Sequence, residues 1–297
     1  MTWRMRAVVL IQATLLLRSC AATEDVAVVA RHAEAKVLAE RIKKEHFDPQ
    51  RQAAESLGKL GPGVLPLVLP LLKDESKQVR RAAALCIETM GPAGKDAVQD
   101  LIPLLKDPDA GVRERAADAL QALGPEAKPA LDALIETLGD AEESAMMDKA
   151  QALGAIGAPA KPKLLALLKD PKDTARCMGA CMAIHRITPV DPEAVTELTR
   201  LALHAKVEDL RDEAMNALGE IGPAAVAAVP HLIRALDKET KLRWRVAFTL
   251  GMIGPQAKDA LPALRRYQHD KDQTTTLFVG NAITSLSAGE VPLGEKP

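Results

Sequence analysis

The sequence contains few aromatic side chains: Phe, Trp and Tyr together make up 2% of its 297 residues. Cores of β-sandwiches and β-barrels rely on aromatic and β-branched residues, so this low content argues against both folds. Hydrophobic residues nevertheless reach 47% and charged residues 27%, a balance typical of a globular protein. The core must therefore consist of Leu, Ala, Val and Ile, which favours closely packed helices.

The sequence also lacks an excess of either charge, because 39 Lys and Arg stand against 40 Asp and Glu, a formal net charge of −1. Nucleic-acid-binding proteins ordinarily combine a basic surface with aromatic rings on which bases stack. This chain has neither property, so we expect no nucleic-acid partner. Cysteine is scarce too: beyond Cys20 only Cys86, Cys177 and Cys181 occur, an odd number that forms no disulfide framework.

No apolar run in the N-terminal segment is long enough to span a bilayer, which takes roughly 20 residues. Residues 1–22 instead begin with Arg4 and Arg6, continue through an apolar stretch at 7–17 and end in small residues. This order is typical of a secretory signal peptide. We therefore expect an exported protein of the periplasm or cell envelope, which meets the membrane only through this segment.

Two routes of processing remain open at the end of that segment. Ser19, Cys20 and Ala21 offer the small residues that ordinary cleavage requires. The run Leu17-Arg18-Ser19-Cys20 also resembles a bacterial lipobox, in which Cys20 would become the lipidated first residue of the mature protein. Arg18 departs from the small or apolar residue that is usual there.

The rest of the chain repeats one pattern. Glycine, followed directly or after one residue by proline, recurs at positions 61, 91, 124, 157, 222 and 254, and Thr188-Pro189 fills the remaining place. The intervals range from 30 residues (61 to 91) to 34 residues (188 to 222). A period of this length implies a solenoid of stacked units.

Each unit is predicted to contain two helices. In the first helix, Ala116, Ala117, Leu120 and Leu123 follow a spacing that places them on one helical face. The glycine then stops this helix in a left-handed conformation, and the proline opens the next one. The second helix is shorter and rich in leucine, and it ends in a polar turn.

The run VRERAADALQALGP at 112–125 resembles a HEAT repeat, in particular the subtype also found in phycobilisome lyase subunits. The resemblance covers about residues 49–288. It implies an all-α fold, an α-solenoid of about seven stacked helix–turn–helix repeats with helical caps. It also implies a scaffold that binds other proteins, because the family mostly provides binding surfaces.

Both ends of the repeat region are predicted to carry additional helices. Residues 23–48 contain an apolar stripe that includes Ala33, Val37 and Ile42, which predicts an N-terminal capping helix over the first unit. Leu277 and Val279 begin a corresponding stripe at the other end. Residues 289–297 are predicted to form a flexible tail.

Aspartate and arginine recur six residues apart across the turns between repeats. In the HEAT family such pairs form a ladder from unit to unit, and the resemblance implies the same structural role here. The series is interrupted at Asp140 and Asp270, because Met146 and Thr276 stand where the arginine would be. We therefore expect the contact between the two repeats that meet at Asp140, here called a joint, to be less rigid than the others. The predicted ladder pairs are Asp74 and Arg80, Asp107 and Arg113, Asp170 and Arg176, and Asp237 and Arg243.

Cys177, Cys181 and His185 are spaced four residues apart and therefore share one stripe of one helix. Thiolate and imidazole ligands suit zinc or copper. Three ligands along one straight helix cannot surround an ion, however, and Cys181 stands where other repeats place Ala or Met. We therefore predict a packing role, no metal and no cofactor. The alternative is an enzyme or enzyme subunit, lyase-like or metal-dependent, that uses these three residues.

The leading interpretation is an exported, non-enzymatic scaffold that binds a protein or peptide. In HEAT-like stacks the second helices line the concave side, so their outward positions form the predicted contact surface. Read along the chain, these positions are apolar, then acidic, then basic, which predicts an acidic partner segment at the basic end. Solvated helix faces with charges placed by chance are the simpler explanation. The charged and histidine positions are Asp100, Glu136, Lys163, Glu197, Arg200, His231, Arg234 and Arg266.

Overall fold

The computed structural model describes residues 20–45, 47–139, 143–238 and 240–287. Within these ranges every regular element is a helix and no strand occurs, which confirms the all-α prediction. The predicted signal peptide lies outside the described residues up to position 19, and the predicted tail 289–297 lies wholly outside them. The α-helices are α1 (Cys20–Lys44), α2 (Phe47–Lys59), α3 (Leu65–Val68), α4 (Lys77–Met90), α5 (Val98–Leu101), α6 (Ala110–Leu123), α7 (Leu131–Thr137), α8 (Glu143–Ile156), α9 (Lys161–Lys169), α10 (Thr174–Ile184), α11 (Pro192–His204), α12 (Glu208–Ile221), α13 (Val229–Lys238), α14 (Arg243–Ile253), α15 (Leu261–Arg265) and α16 (Gln273–Ser287).

The second half of most repeats combines α-helix with 3-10 helix, where the sequence predicts one short helix. Proline explains part of this tightening, because it lacks the N–H that an α-helical bond requires and its ring crowds the preceding turn. Pro70 and Pro103 both lie in such segments. The 3-10 segments are Pro62–Val64, Leu69–Lys73, Gly91–Ala97, Ile102–Lys106, Gly124–Ala130, Ala158–Ala160, Gly222–Ala228, Thr240–Leu242 and Gly254–Ala260.

The six glycines of the repeat pattern all have positive φ, from 56° at Gly91 to 85° at Gly61. At Gly61 the ψ angle is −171° and at Gly222 it is −133°, a region that residues with a Cβ atom avoid. The chain therefore turns sharply after each of these first helices. This confirms that glycine ends the first helix and that the following residues open the second.

The described residues divide into two compact units, with the boundary between Ala119 and Leu120 inside α6. In unit 1, up to Ala119, α1 packs against α2 and α2 against α4. The face that α1 buries contains Leu38, Ala39 and Ile42, whereas Val37 is 60% exposed. The predicted stripe was therefore correct at Ile42 and wrong at Ala33 and Val37, which are exposed, because α1 carries alanine or valine on more than one face.

In unit 2, from Leu120 onward, the helices form two layers. The first helices α8, α10, α12, α14 and α16 pack on one another in succession, and the second helices stack beside them. Small residues allow this close approach: a Cβ atom at Gly179 would lie 2.5 Å from Leu138 Cγ, and one at Gly251 would lie 3.2 Å from Ala282 Cα. Dense packing of small and aliphatic residues thus replaces the missing aromatics.

Candidate protein-binding surface

Arginine side chains stabilise the contacts between neighbouring repeats. Their partners differ from the predicted ones, the aspartates six residues earlier. Arg80 donates from Nε and Nη2 to the Asp107 carboxylate of the next repeat at 2.8 and 2.9 Å, and from Nη1 to the Asp74 carbonyl at 2.8 Å. Asp74 therefore contributes its backbone and not its carboxylate. Both charged side chains are largely buried, with exposures of 14% for Arg80 and 9% for Asp107. This two-bond geometry makes a strong ion pair.

Each of these aspartate carboxylates caps its own turn, and that of Asp107 also faces the arginine of the preceding repeat. The Asp107 carboxylate accepts the N–H of Asp109, and that of Asp74 accepts the N–H of Ser76. Arg113 donates to the Asp107 carbonyl at 2.9 Å. The predicted side-chain pairs six apart are corrected to arginine–carbonyl contacts at these joints.

The two pairs predicted in unit 2 are not formed either, and different contacts replace them. Arg243 donates to the Leu236 carbonyl at 2.9 Å and to the Asp270 carboxylate at 2.6 Å, not to Asp237. Arg176 pairs with Asp173 at 2.7 Å, while the Asp170 carboxylate lies 2.9 Å from Lys172 Nζ.

The hydrogen bond to the backbone carbonyl is also present where the series of aspartate and arginine is interrupted. Arg211 donates to the Ala205 carbonyl at 3.2 Å, and the Thr276 hydroxyl donates to the Asp270 carbonyl at 3.1 Å. Asp140 lies outside the described residues. Near its joint the fully buried Lys149 donates to the Thr137 carbonyl at 2.9 Å. The softness expected of this joint stays a prediction.

The predicted contact positions are mostly exposed, but many of their charges are paired. Asp100 and Glu197 are partly buried, whereas Glu136, His231 and Arg234 are exposed. Ion pairs join Lys73 to Asp100 (2.8 Å), Lys163 to Asp132 (2.6 Å), Arg200 to Glu197 (2.7 Å) and Arg266 to Asp237 (3.0 Å). Asp100 lies in unit 1 and the other seven positions in unit 2. The predicted change from acidic to basic charge along this surface is therefore largely cancelled, because several of these pairs join neighbouring repeats and bring opposite charges side by side.

A groove in unit 2 brings two of the predicted residues together. It lies beside α11 and the 3-10 segment before α13, encloses about 330 Å³ and is called the α11–α13 groove below. Arg200 borders it, held in place by Glu197 and by the Leu168 carbonyl at 2.7 Å. The lining residues are Val195, Thr196, Thr199, Arg200, Leu203, His204, Ala227 and His231.

The groove can offer apolar contact and hydrogen bonding at once. The Thr196 and Thr199 hydroxyls donate to carbonyls of their own helix at 3.1 and 2.7 Å, so the polar groups left to a partner are mainly those of Arg200 and two histidines. Sequence reasoning found Arg200 and His231 but missed Leu203 and His204. Their positions three and four residues after Arg200 place them on the same side of α11, a signal that helical spacing could have revealed.

Family comparison matches this architecture along most of the chain. The family described as HEAT repeats matches residues 34–121, 65–146 and 98–185, which together span 34–185. The chain belongs to the HEAT-repeat family. The PBS lyase HEAT-like repeat family matches residues 210–238 of this HEAT-repeat protein. No curated protein matches it.

Kap95p shares the fold of this chain, and two further solved structures show weaker similarity. Kap95p, in a complex with RanGDP, is 12% identical over 85% of this chain and 40% of its own, with a TM-score of 0.59. The CpcE–CpcF complex of phycocyanin lyase from Nostoc sp. PCC7120 is 25% identical over 85% of this chain and 94% of its own, with a TM-score of 0.42. Human deoxyhypusine hydroxylase is 20% identical over 89% of this chain and 99% of its own, with a TM-score of 0.36.

Cys177, Cys181 and His185 lie along α10 and at its end, as their spacing predicts. Both thiols are fully buried. The hydrogen bond that Cys181 shares with Cys177, together with burial, raises the pKa of Cys181. Burial lowers the pKa of His185, whose Nδ1 lies 3.2 Å from the Cys181 carbonyl. The described part of the chain holds no group of three His, Cys, Asp or Glu side chains suited to a metal ion. None of the helices described is long and apolar enough to cross a membrane.

Proposed function

We propose that this HEAT-repeat protein is an exported, non-enzymatic scaffold that binds a segment of another protein in the α11–α13 groove. The observation that carries the proposal is the groove itself, where Leu203 and Ala227 lie beside the fixed guanidinium of Arg200. Because the Arg200 side chain is already held in position beside apolar side chains, binding a partner there requires little further loss of side-chain conformational entropy. Binding by a stack of this fold has a precedent in Kap95p, which engages RanGDP.

A matched pair of substitutions tests the groove. Ala227 lines it, and Ala224 is exposed in the same 3-10 segment but does not. We expect A227R to fill the groove and abolish capture of the partner from cell-envelope extracts of the native host. A224R adds the same charge and should retain capture, and both variants should melt as the wild type does. Equal capture by the two variants would exclude the groove as the binding site.

The acidic character expected of the partner has limited support at this groove. Arg200 and Arg266 already pair with Glu197 and Asp237, which leaves Arg234 as the exposed arginine of that series with no ion pair in the described ranges. The groove therefore suits a segment that combines an apolar side chain with hydrogen-bonding groups.

Export belongs to the same proposal and is supported by the order of charge and hydropathy in residues 1–22. Intact-mass measurement of the protein from its native host should show that the segment is lost. The new first residue should be Ala22, Thr23 or a lipidated Cys20. A cytoplasmic protein that retains Met1 would contradict export.

The alternative function is a lyase-like or metal-dependent enzyme subunit acting through Cys177, Cys181 and His185. The match of residues 210–238 to PBS lyase HEAT-like repeats favours it. Against it, both thiols are buried, so a substrate could reach them only after α10 had moved. Metal analysis and an absorption spectrum of the purified protein separate the two functions, because a stoichiometric metal or chromophore would contradict the scaffold.

A further inference from the structure

The joint at Arg243 has the same framework as the joint at Arg80. Each arginine donates to a carboxylate 27 residues later, Asp107 in one case and Asp270 in the other. Each of these carboxylates also accepts the N–H of the residue two positions further on. The two joints can therefore be compared position by position.

The comparison shows where the Arg243 joint departs from the repeat. Leu104 and Leu105, the third and second residues before Asp107, are buried and close the Arg80 joint. Tyr267 and Gln268 take these places before Asp270, and Gln268 is exposed. A cleft of about 970 Å³ opens here, called the Tyr267 cleft below. Two core leucines are therefore replaced at this joint, one of them by Tyr267, which lines the cleft.

The cleft carries uncompensated positive charge. Asp270 is engaged by Arg243, and Asp272 accepts the Thr275 N–H and hydroxyl at 3.0 and 2.7 Å. Lys241 and Lys271, by contrast, are exposed and form no ion pair within the described ranges. The lining carries four Lys and Arg side chains against two Asp side chains, so an incoming anion meets a net positive charge at the two exposed lysines, with His269 beside them.

The cleft also contains rigid aromatic side chains. The Tyr267 hydroxyl donates to Asp237 at 2.8 Å, and the Arg243 guanidinium carbon lies 3.9 Å from the centre of the Tyr267 ring. Trp244 lines the cleft and packs on Phe278 with ring centres 5.3 Å apart. Tyrosine, tryptophan and arginine held in fixed positions are the residues that contribute most to binding at protein interfaces.

We propose that the Tyr267 cleft binds an acidic segment of a partner protein, with Asp or Glu carboxylates facing Lys241 and Lys271. The inference rests on the proposed scaffold function but places acidic recognition at a joint and not in the α11–α13 groove. A peptide fits better than a small anion, because the cleft is far larger than a phosphate ion and presents Trp244 and Tyr267 beside its charged side chains.

Tryptophan fluorescence provides a direct assay. The chain has two tryptophans, so W3F in the full chain leaves Trp244, which lines the cleft, as the only one. Titration with deca-glutamate should change the Trp244 emission and should bind more weakly as salt is added. In the W3F background, K241E/K271E should raise the Kd roughly tenfold or more. K128E/K258E makes the same change in net charge at exposed lysines outside the cleft and should leave the Kd within about twofold.

Three results would overturn the proposal: no change in Trp244 emission with deca-glutamate, equal losses in the two double variants, or displacement of the peptide by inorganic phosphate at equal concentration. The last would make the cleft a small-anion site. A227R should bind deca-glutamate as the wild type does. If A227R leaves partner capture intact while K241E/K271E behaves as expected, the groove is wrong and the cleft stands.

Discussion

Arg80 fastens two consecutive repeats with one side chain, because its guanidinium reaches the Asp74 carbonyl and the Asp107 carboxylate together. Removing it leaves the Asp107 carboxylate buried without its cation. We expect Arg80→Ala to lower the free energy of unfolding by about 2–3 kcal/mol. Arg51→Ala removes an exposed pair with Glu55 and should cost about 0.5 kcal/mol or less. Chemical denaturation measures the free energy of unfolding of both variants. Equal losses in the two would show that Arg80 does not stabilise the contact between repeats.

Asp109 makes the stability of unit 1 sensitive to acid. Burial alone would raise the pKa of its carboxyl, but hydrogen bonds from Lys77 and Arg81 and their charges outweigh this and lower the pKa to about 2. The unfolded value is about 3.9, so the stabilisation is complete above that pH and is lost as the pH falls toward 2. The Tm difference between wild type and D109N should therefore be largest above pH 5 and shrink toward pH 2. A difference that does not vary with pH would contradict this assignment.

At the scale of the element, backbone conformation ends the first helix of most repeats. Gly61 and Gly63 lie two residues apart, and a Cβ atom at either would meet nothing within 4 Å, but only Gly61 has positive φ. Gly61→Ala should therefore cost about 1–2 kcal/mol through backbone strain alone. Gly63→Ala should be neutral or slightly stabilising, because it restricts the unfolded chain. Thermal melts of the two variants check this, and similar destabilisation by both would show that φ does not decide the turn.

These elements differ in how far the sequence could predict them. The turn at Gly61 was predictable because positive φ strongly favours glycine, and a glycine can be read directly from the sequence. The partner of Arg80 was not, because Asp74 and Asp107 both recur with the repeat, and only the three-dimensional position of the Asp107 carboxylate, which faces Arg80 although it also caps its own turn, decides between them. In the groove, periodicity located Arg200 and His231, since outward positions follow helical spacing. The Tyr267 cleft was missed, although aligning the repeats would have shown Tyr267 in place of a core leucine.

At the scale of the whole molecule, the two units show how a chain with few aromatics distributes its functions. In unit 2 the stacked first helices bury small residues and leave the second-helix side to line a groove. Of three Phe, two Trp and one Tyr, four lie between positions 244 and 278, next to the cleft and not in the earlier repeats. Aliphatic packing thus recurs along the repeats, and both proposed binding sites lie in the later ones.

The most direct test of the scaffold function is photo-crosslinking in the native host from a benzophenone amino acid at one position at a time. Position 203 lies in the α11–α13 groove, and position 220 is exposed on α12 outside it. We predict a covalent adduct with a defined partner protein from position 203 and none from position 220. The same adducts from both positions, or none from position 203, would contradict binding in the groove.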